Sequence, residues 1–221
     1  MPLLKTDSQP PADCLLLIVD GHAYAYRAYH AIRALNAPDG EPANAIFGFV
    51  KMLLKLHETL KPTHLLVVWD GGLDPERVRA LPEYKAQRPP TPDALERQLP
   101  RLMEWLAAMN WPSLQKEHAE ADDWIATYAR RASSRNCRSV IASSDKDFMQ
   151  LVEERIGLFN PNDKEPKVWT SADVEAKAGV QPGQIVDWLS LVGDAVDNIP
   201  GVPGVGPKTA ADLLRRFGSA E

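Results

Sequence analysis

The chain has 221 residues and a formal charge of −5, a length that allows one large domain or one domain with a small appendage. Hydrophobic residues make up 44% of it, enough for a core, yet no run is long and apolar enough to predict a membrane span. Cys14 and Cys137 are the only cysteines, which excludes a disulfide framework and fits a reducing cytoplasm.

Residues 1–13 hold Pro2, Pro10 and Pro11 and lack the apolar stretch of a secretory signal; they read as a disordered lead-in. Strand-like runs follow at 14–19, 64–69 and 138–142, with weaker ones at 112–116 and 156–159. Helical periodicity is predicted over 22–34, 44–60, 93–109, 121–135 and 146–153. This alternation through the first two-thirds predicts α/β with helices flanking a mostly parallel sheet. The helix over 44–60 is apolar enough to be expected in the core. Residues 71–92 break the pattern with Pro75, Pro82, Pro89, Pro90 and Pro92, interspersed with Arg77, Arg79, Lys85 and Arg88. Long connections of this kind are often functional. After residue 170 the chain reads as helical, with a glycine-rich interruption at 201–206.

Acidic residues cluster near the ends of the strand-like runs: Asp20, Asp70, Glu120 with Asp122 and Asp123, Asp145 with Asp147, and later Asp194 with Asp197. Parallel strands end along one edge of a sheet, and ligands bind in the crevice there. Oxygen-rich pockets suit Mg²⁺ or Mn²⁺, which points to two-metal phosphodiester hydrolysis. Each cluster also has a plain structural reading: turns at Asp20-Gly21 and Asp70-Gly71-Gly72, a helix start at 120–123, an N-cap at Asp145. What joins them is their common placement at one predicted edge. Asp194 and Asp197 share a face if their segment is helical. Setting these carboxylates aside reverses the sign of the remaining charge, so an acidic pocket lies in a mildly basic surround.

Ile199 to Thr209 resembles a phosphate loop, but Pro207 stands where a Walker lysine belongs. A helix–hairpin–helix fits better. Pro207 suits a first helical turn; Gly204 and Gly206 let the backbone approach a phosphate, free amides bind it, and Lys208 adds charge. Contacts of this kind hold a nucleic-acid backbone without reading its sequence. Lys85 and Arg88, three apart, face one way if they lie on a short helix. The histidines show no zinc-like pairing and read as packing or surface residues; Ser143 and Ser144 lack a histidine partner for serine hydrolysis.

In order and spacing, these motifs resemble the 5′-nuclease domain of bacterial DNA polymerase I, within the flap endonuclease family. Asp20-Gly21 with Tyr26-Arg27-Ala28-Tyr29-His30-Ala31 resembles the first acidic motif. Asp70, Arg77, Tyr84-Lys85 and Arg88-Pro89-Pro90 resemble the second motif and arch. Glu120-Ala121-Asp122-Asp123 and Asp145-Lys146-Asp147 resemble the central motifs, and Val192-Gly193-Asp194 through Ala210 the last. Ser143-Ser144 stands where the family has threonine and glycine, and Glu76 where it has an aromatic before Arg77.

The resemblance implies a PIN-like flap-nuclease fold with a central mostly parallel sheet, a helical arch and a C-terminal helix–hairpin–helix. It implies an α/β nuclease core over 14–170, including an arch region at 71–100, and a helical region over 171–221. Family members continue past the hairpin, so the chain, ending at Glu221, reads as a fragment or a short stand-alone nuclease. Asp20, Asp70, Glu120, Asp122, Asp123, Asp145, Asp147, Asp194 and Asp197 would surround two or more Mg²⁺ or Mn²⁺ ions. Lys85 and Arg88 would steer the scissile phosphate. Arg27, Arg77, Tyr84, Gly204, Gly206, Lys208 and Thr209 would contact DNA, and the Val202 and Val205 carbonyls would hold K⁺. The implied activity is metal-dependent 5′-3′ exonuclease and flap endonuclease cleavage, by a monomer in the bacterial nucleoid. Its substrate would be DNA with a 5′ flap or 5′ end, including an RNA primer strand. The rivals are a related metal-dependent ribonuclease and a DNA-binding module without catalysis; a pure binding module gains only phosphate repulsion from so many carboxylates.

Overall fold

Side chains alternate between the two faces of a strand, and here both faces are buried. In the computed structural model, which describes residues 13–220, β1 (Leu15–Asp20) sends Leu17 and Val19 to one core and Ile18 to the other. β2 (His64–Trp69) does the same with Val67 and Trp69 against Val68, and β4 (Arg138–Ala142) with Val140 and Ala142 against Ile141. β3 (Ser113–Gln115), β5 (Ile156–Phe159) and the two-residue β6 (Val168–Trp169) complete a six-stranded sheet in the order β3-β2-β1-β4-β5-β6. Every neighbouring pair is parallel except β5 with β6. The lead-in expected over 1–13 lies outside the described residues apart from Asp13.

One face is covered by α1 (Gly21–Ala31), α2 (Asn44–Leu60) and α5 (Leu99–Ala108). The other carries α6 (Ala121–Ser133), a 3-10 helix at Lys146–Leu151, α7 (Ser171–Ala178), α8 (Ile185–Val192) and α9 (Pro207–Phe217). Between β2 and α5 run two short helices, α3 (Pro75–Ala80) and α4 (Asp93–Glu96). A mostly parallel α/β sheet is therefore the architecture, as the alternation predicts.

Three helical expectations change in detail. The apolar helix α2 buries Phe49 and Leu53 fully but leaves Phe47 and Leu54 about half exposed, so only one face enters the core. The single helix expected over 93–109 is two, because Pro100 supplies no amide to carry the first helix through. Gln98 sits at this break with 1% exposure. Its Oε1 accepts the Ala45 and Ile46 amides at 2.9 and 3.2 Å, capping α2, which has no side-chain cap from its own N-cap residue. The stretch expected as helix over 146–153 is the shorter 3-10 turn.

From β1 the chain moves outward to β2 and β3, then returns to lay β4 beside β1. That reversal makes the β1–β4 boundary a topological switch point, where α/β sheets open a crevice at the carboxyl ends of their strands.

The same pairing joins the two cysteines, which the sequence reading left without a disulfide. Leu15 stands opposite Arg138, so Cys14 and Cys137 face each other one residue earlier, with Cα atoms 4.9 Å apart, and they form a disulfide. It staples the amino ends of the two central strands, opposite the acidic edge. Breaking it with Cys137→Ser should lower stability by about 2–4 kcal/mol, read as a lower thermal midpoint. Reductant should lower the wild-type midpoint and leave the variant's unmoved.

Candidate metal centre

Asp20 closes β1, Asp70 follows β2, and Asp145 follows β4. Each also satisfies backbone donors. Asp20 caps α1, its Oδ1 accepting the Ala23 amide at 3.0 Å, while its Oδ2 accepts the Ser143 hydroxyl at 2.8 Å. Asp70 Oδ1 accepts the Ala121 amide at 2.8 Å and so caps α6 from a different strand. Asp145 Oδ1 accepts the Asp147 amide at 2.9 Å at the start of the 3-10 helix. Ser143 links two acids, because its oxygen also receives the Asp145 amide at 3.1 Å. The capping and the functional readings of these residues thus coexist.

Gly71 brings β2 against the loop that precedes Glu120. Its amide donates to the Ala119 carbonyl at 3.0 Å, and a Cβ there would lie 1.8 Å from the Lys116 carbonyl oxygen. Only glycine fits this approach. Glu120 itself is 1% exposed. Its Oε2 accepts the Tyr84 hydroxyl at 3.0 Å, the Arg77 guanidinium at 3.1 Å and the Lys85 ammonium. Burial opposes ionisation of Glu120, but the Lys85 hydrogen bond and charge, with Tyr84 and Arg77, outweigh it and hold the carboxyl below its ordinary value.

The other acids lack such compensation. Burial pushes Asp20 up to about 6, assisted by the charges of Asp70 and Asp145 and opposed by the Ala23 and Ser143 hydrogen bonds. Asp122, on the first turn of α6, is pushed up to about 8 by burial and then by Asp20 and Asp145. Asp147 rises to about 6 through burial and the charges of Asp145, Asp194 and Asp197. Asp147, Asp194 and Asp197 each offer a ligand atom within 4.8 Å of one another. Asp147 Oδ1 and Glu120 Oε1 are buried without a hydrogen-bond partner. A hard divalent cation would satisfy these oxygens and lower every one of those values. The donor set is oxygen only, as Mg²⁺ and Mn²⁺ require, so the residues present fit such ions.

Asp194 and Asp197 reach this cluster without the helix that would put them on one face. α8 stops at Val192, and a tight turn closed by reciprocal 2.8 Å bonds between Asp194 and Ile199 carries both acids. Gly193 (φ 77°) and Gly201 make that closure. A Cβ on Gly201 would lie 2.3 Å from the Val192 carbonyl oxygen, and one on Gly193 would lie 2.4 Å from the Gly201 nitrogen. Lys146 pairs with Asp194 at 3.4 Å, and Arg88 with Asp197 at 2.5 Å.

Other predicted residues have distinct positions. Asp123 is exposed and pairs with Arg77 at 2.7 Å. Tyr84 and Lys85 are buried against Glu120; Lys85 adopts φ 55° in a turn, so it and Arg88 do not share a short helix. Arg27 donates to Asn162. Gly204 has φ 81°, Gly206 caps α9, and Lys208 and Thr209 are exposed on its first turn, with Pro207 leading the helix. The Val205 amide donates to the Val202 carbonyl at 3.0 Å. Two participants escaped the sequence reading. His22 Nδ1 accepts the Asp70 amide at 3.0 Å, and Ser143 joins Asp20 to Asp145.

Comparison with known proteins follows the same outline. The family model described as 5′-3′ exonuclease, N-terminal resolvase-like domain, matches residues 15–179; that described as 5′-3′ exonuclease, C-terminal SAM fold, matches 180–221. A 5′-3′ exonuclease of Aquifex aeolicus is 43% identical over 206 residues, covering 93% of this chain and 71% of that protein. DNA polymerase I of Bacillus caldotenax is 42% identical over 210 residues, covering 93% of this chain and 24% of its own length. The chain thus spans about a quarter of the polymerases it matches. Among solved structures, the T5 D15 protein co-crystallised with metal ions shares the fold. Its TM-score is 0.77 at 23% identity, covering 93% of this chain and 76% of that one.

The raised Asp122 value has a measurable sign. Between pH 3.8 and about 8 the folded metal-free chain holds a proton there that the unfolded chain releases. Stability therefore falls as pH rises through that window, by up to about 1.4 kcal/mol per pH unit. Asp122→Asn should remove that part of the slope in chelator. Near pH 8 it should raise the thermal midpoint by roughly 2–4 °C for each kcal/mol gained. Denaturation across a pH series, wild type against variant, checks it.

Proposed function

Because the chain belongs to the 5′-3′ exonuclease family, we propose that it is a divalent-metal-dependent nuclease that hydrolyses DNA phosphodiesters at a 5′ end or 5′ flap, including a 5′ RNA primer strand. The observation that carries this reading is the set of desolvated carboxylates gathered from separate strand ends, with buried oxygens left unpartnered. Asp20, Asp70, Glu120, Asp122, Asp123 and Asp145 would hold an inner ion, directly or through water, and Asp147, Asp194 and Asp197 an outer one. When bound, Mg²⁺ or Mn²⁺ supplies Lewis-acid activation of the phosphate and of the attacking water.

The chain's own groups do the rest. The Lys85 ammonium keeps its charge: burial works against it, but the Glu120 hydrogen bond and the Asp197 charge push its value up. With Arg88 it would offset negative charge developing on the scissile phosphate. Arg27, Arg77 and Tyr84 would flank the strand. Across the hairpin, the amides at the start of α9 and the exposed Lys208 and Thr209 would take a duplex phosphate. Val202 and Val205 carbonyls would hold K⁺ at the same turn. No helix among the described residues is long and apolar enough to cross a membrane; the proposed place of action is bacterial DNA.

Cleavage of a 5′-flap duplex should require Mg²⁺ or Mn²⁺, favour the branched end over intact duplex and stop in excess chelator. Undiminished cleavage in chelator would overturn the reading. Lys208→Ala should weaken binding to duplexes of any sequence by a similar factor and flatten the salt dependence by about one phosphate contact. Binding titrations over a salt series measure this, and superimposable slopes would remove Lys208 from the interface.

A further inference from the structure

Both oxygens of Asp197 face cations from the 83–88 segment: Oδ1 accepts Arg88 Nη2 at 2.5 Å, and Oδ2 lies 3.9 Å from Lys85 Nζ. Lys85 simultaneously serves Glu120, so one ammonium spans the inner and outer acids. The backbone follows. The Lys85 amide donates to the Asp197 carbonyl at 3.0 Å, Asn198 Nδ2 donates to the Glu83 carbonyl at 3.0 Å, and Gln87 Nε2 donates to Asn198 Oδ1 at 3.3 Å. Lys85 and Asn198 face each other across this junction, both left-handed, at φ 55° and 57°. The docked segment thus holds a backbone conformation that a lysine rarely adopts.

We propose that Lys85 and Arg88 are the resident counter-ions of Asp197, and that they give it up when a divalent cation takes Asp147, Asp194 and Asp197, releasing the contacts of the 83–88 segment to Asp197. The proposal rests on the metal reading above. An arginine and a divalent ion on one carboxylate repel each other at a few ångströms, where little water screens them. Each therefore weakens the other's hold on Asp197. The coupling is reciprocal: whatever loosens the segment must tighten the cation. Freed of Asp197, Arg88 becomes available to a phosphate while Lys85 keeps Glu120 as its partner, so occupancy of the acids would arm the segment that receives the substrate.

Calcium titration by calorimetry, combined with hydrogen exchange on the full chain, tests this without turnover. Saturating Ca²⁺ should accelerate exchange of the 83–88 amides, the Lys85 amide foremost. Arg88→Ala, which removes a competing cation, should bind Ca²⁺ about two- to fivefold more tightly, the change that loss of an exposed ion pair gives. Asn198→Gly keeps the left-handed turn and the charge but removes the docking bonds, and should shift affinity in the same direction. Unchanged or slower exchange at 83–88, or unchanged or weaker Ca²⁺ binding in both variants, would overturn the proposal and leave the metal site standing. Failure of the wild type to bind Ca²⁺ would overturn both.

Discussion

One buried carboxylate, Glu120, governs how the acidic edge is assembled. A charge at that depth is costly unless it is paired and hydrogen-bonded. Tyr84, Arg77 and Lys85 supply the partners on a single oxygen. All three come from the proline-interrupted connection after β2, so satisfying Glu120 draws that connection down onto the sheet. α3 contributes no buried residue of its own, so this stretch of the connection is held by the Arg77, Tyr84 and Lys85 contacts and by the bonds of 83–88 to Asp197 and Asn198. The close approach at Gly71 sets the loop before Glu120 and thereby the place where those donors must arrive.

The remaining carboxylates show the opposite balance. Asp20, Asp122 and Asp147 are partly stripped of water, and neighbouring carboxylates, Asp145 in each case, raise their proton affinity further. Perturbation of this kind clusters at functional sites. Of the cations nearby, Lys85 is buried and shared between Glu120 and Asp197; Arg77 on Glu120 and Asp123, Arg88 on Asp197 and Lys146 on Asp194 lie nearer the margins. Even with Lys85 among them, the carboxylates outnumber the cations they face, which is the electrostatic shape of a cation site.

Much of this was legible beforehand because it depends on short-range pattern. Strands at 64–69, 138–142 and 156–159 match their apolar runs residue for residue. The two-residue β6 carried no pattern to detect. Cys14 and Cys137 read as separate thiols because their contact depends on the β1–β4 register, a property of the sheet and not of either segment. Asp194 and Asp197 were foreseen as a pair through helical spacing, whereas a turn closed at Gly193 and Gly201 brings them together. His22 escaped notice because its role is to receive a backbone amide from another strand; no local spacing encodes that.

The acids that would hold metal also start helices. Asp20 caps α1, Asp70 caps α6 and Asp145 opens the 3-10 turn. Chain segments are therefore anchored by the groups proposed to hold metal, and the N-terminal dipoles of those helices converge on one place. A mutational history at these positions would be constrained twice: an aliphatic replacement would lose a proposed ligand and fray a helix together. Any descendant that abandoned catalysis would still be selected to keep an oxygen there, so asparagine or serine, rather than alanine, is the expected trace of lost activity in this fold.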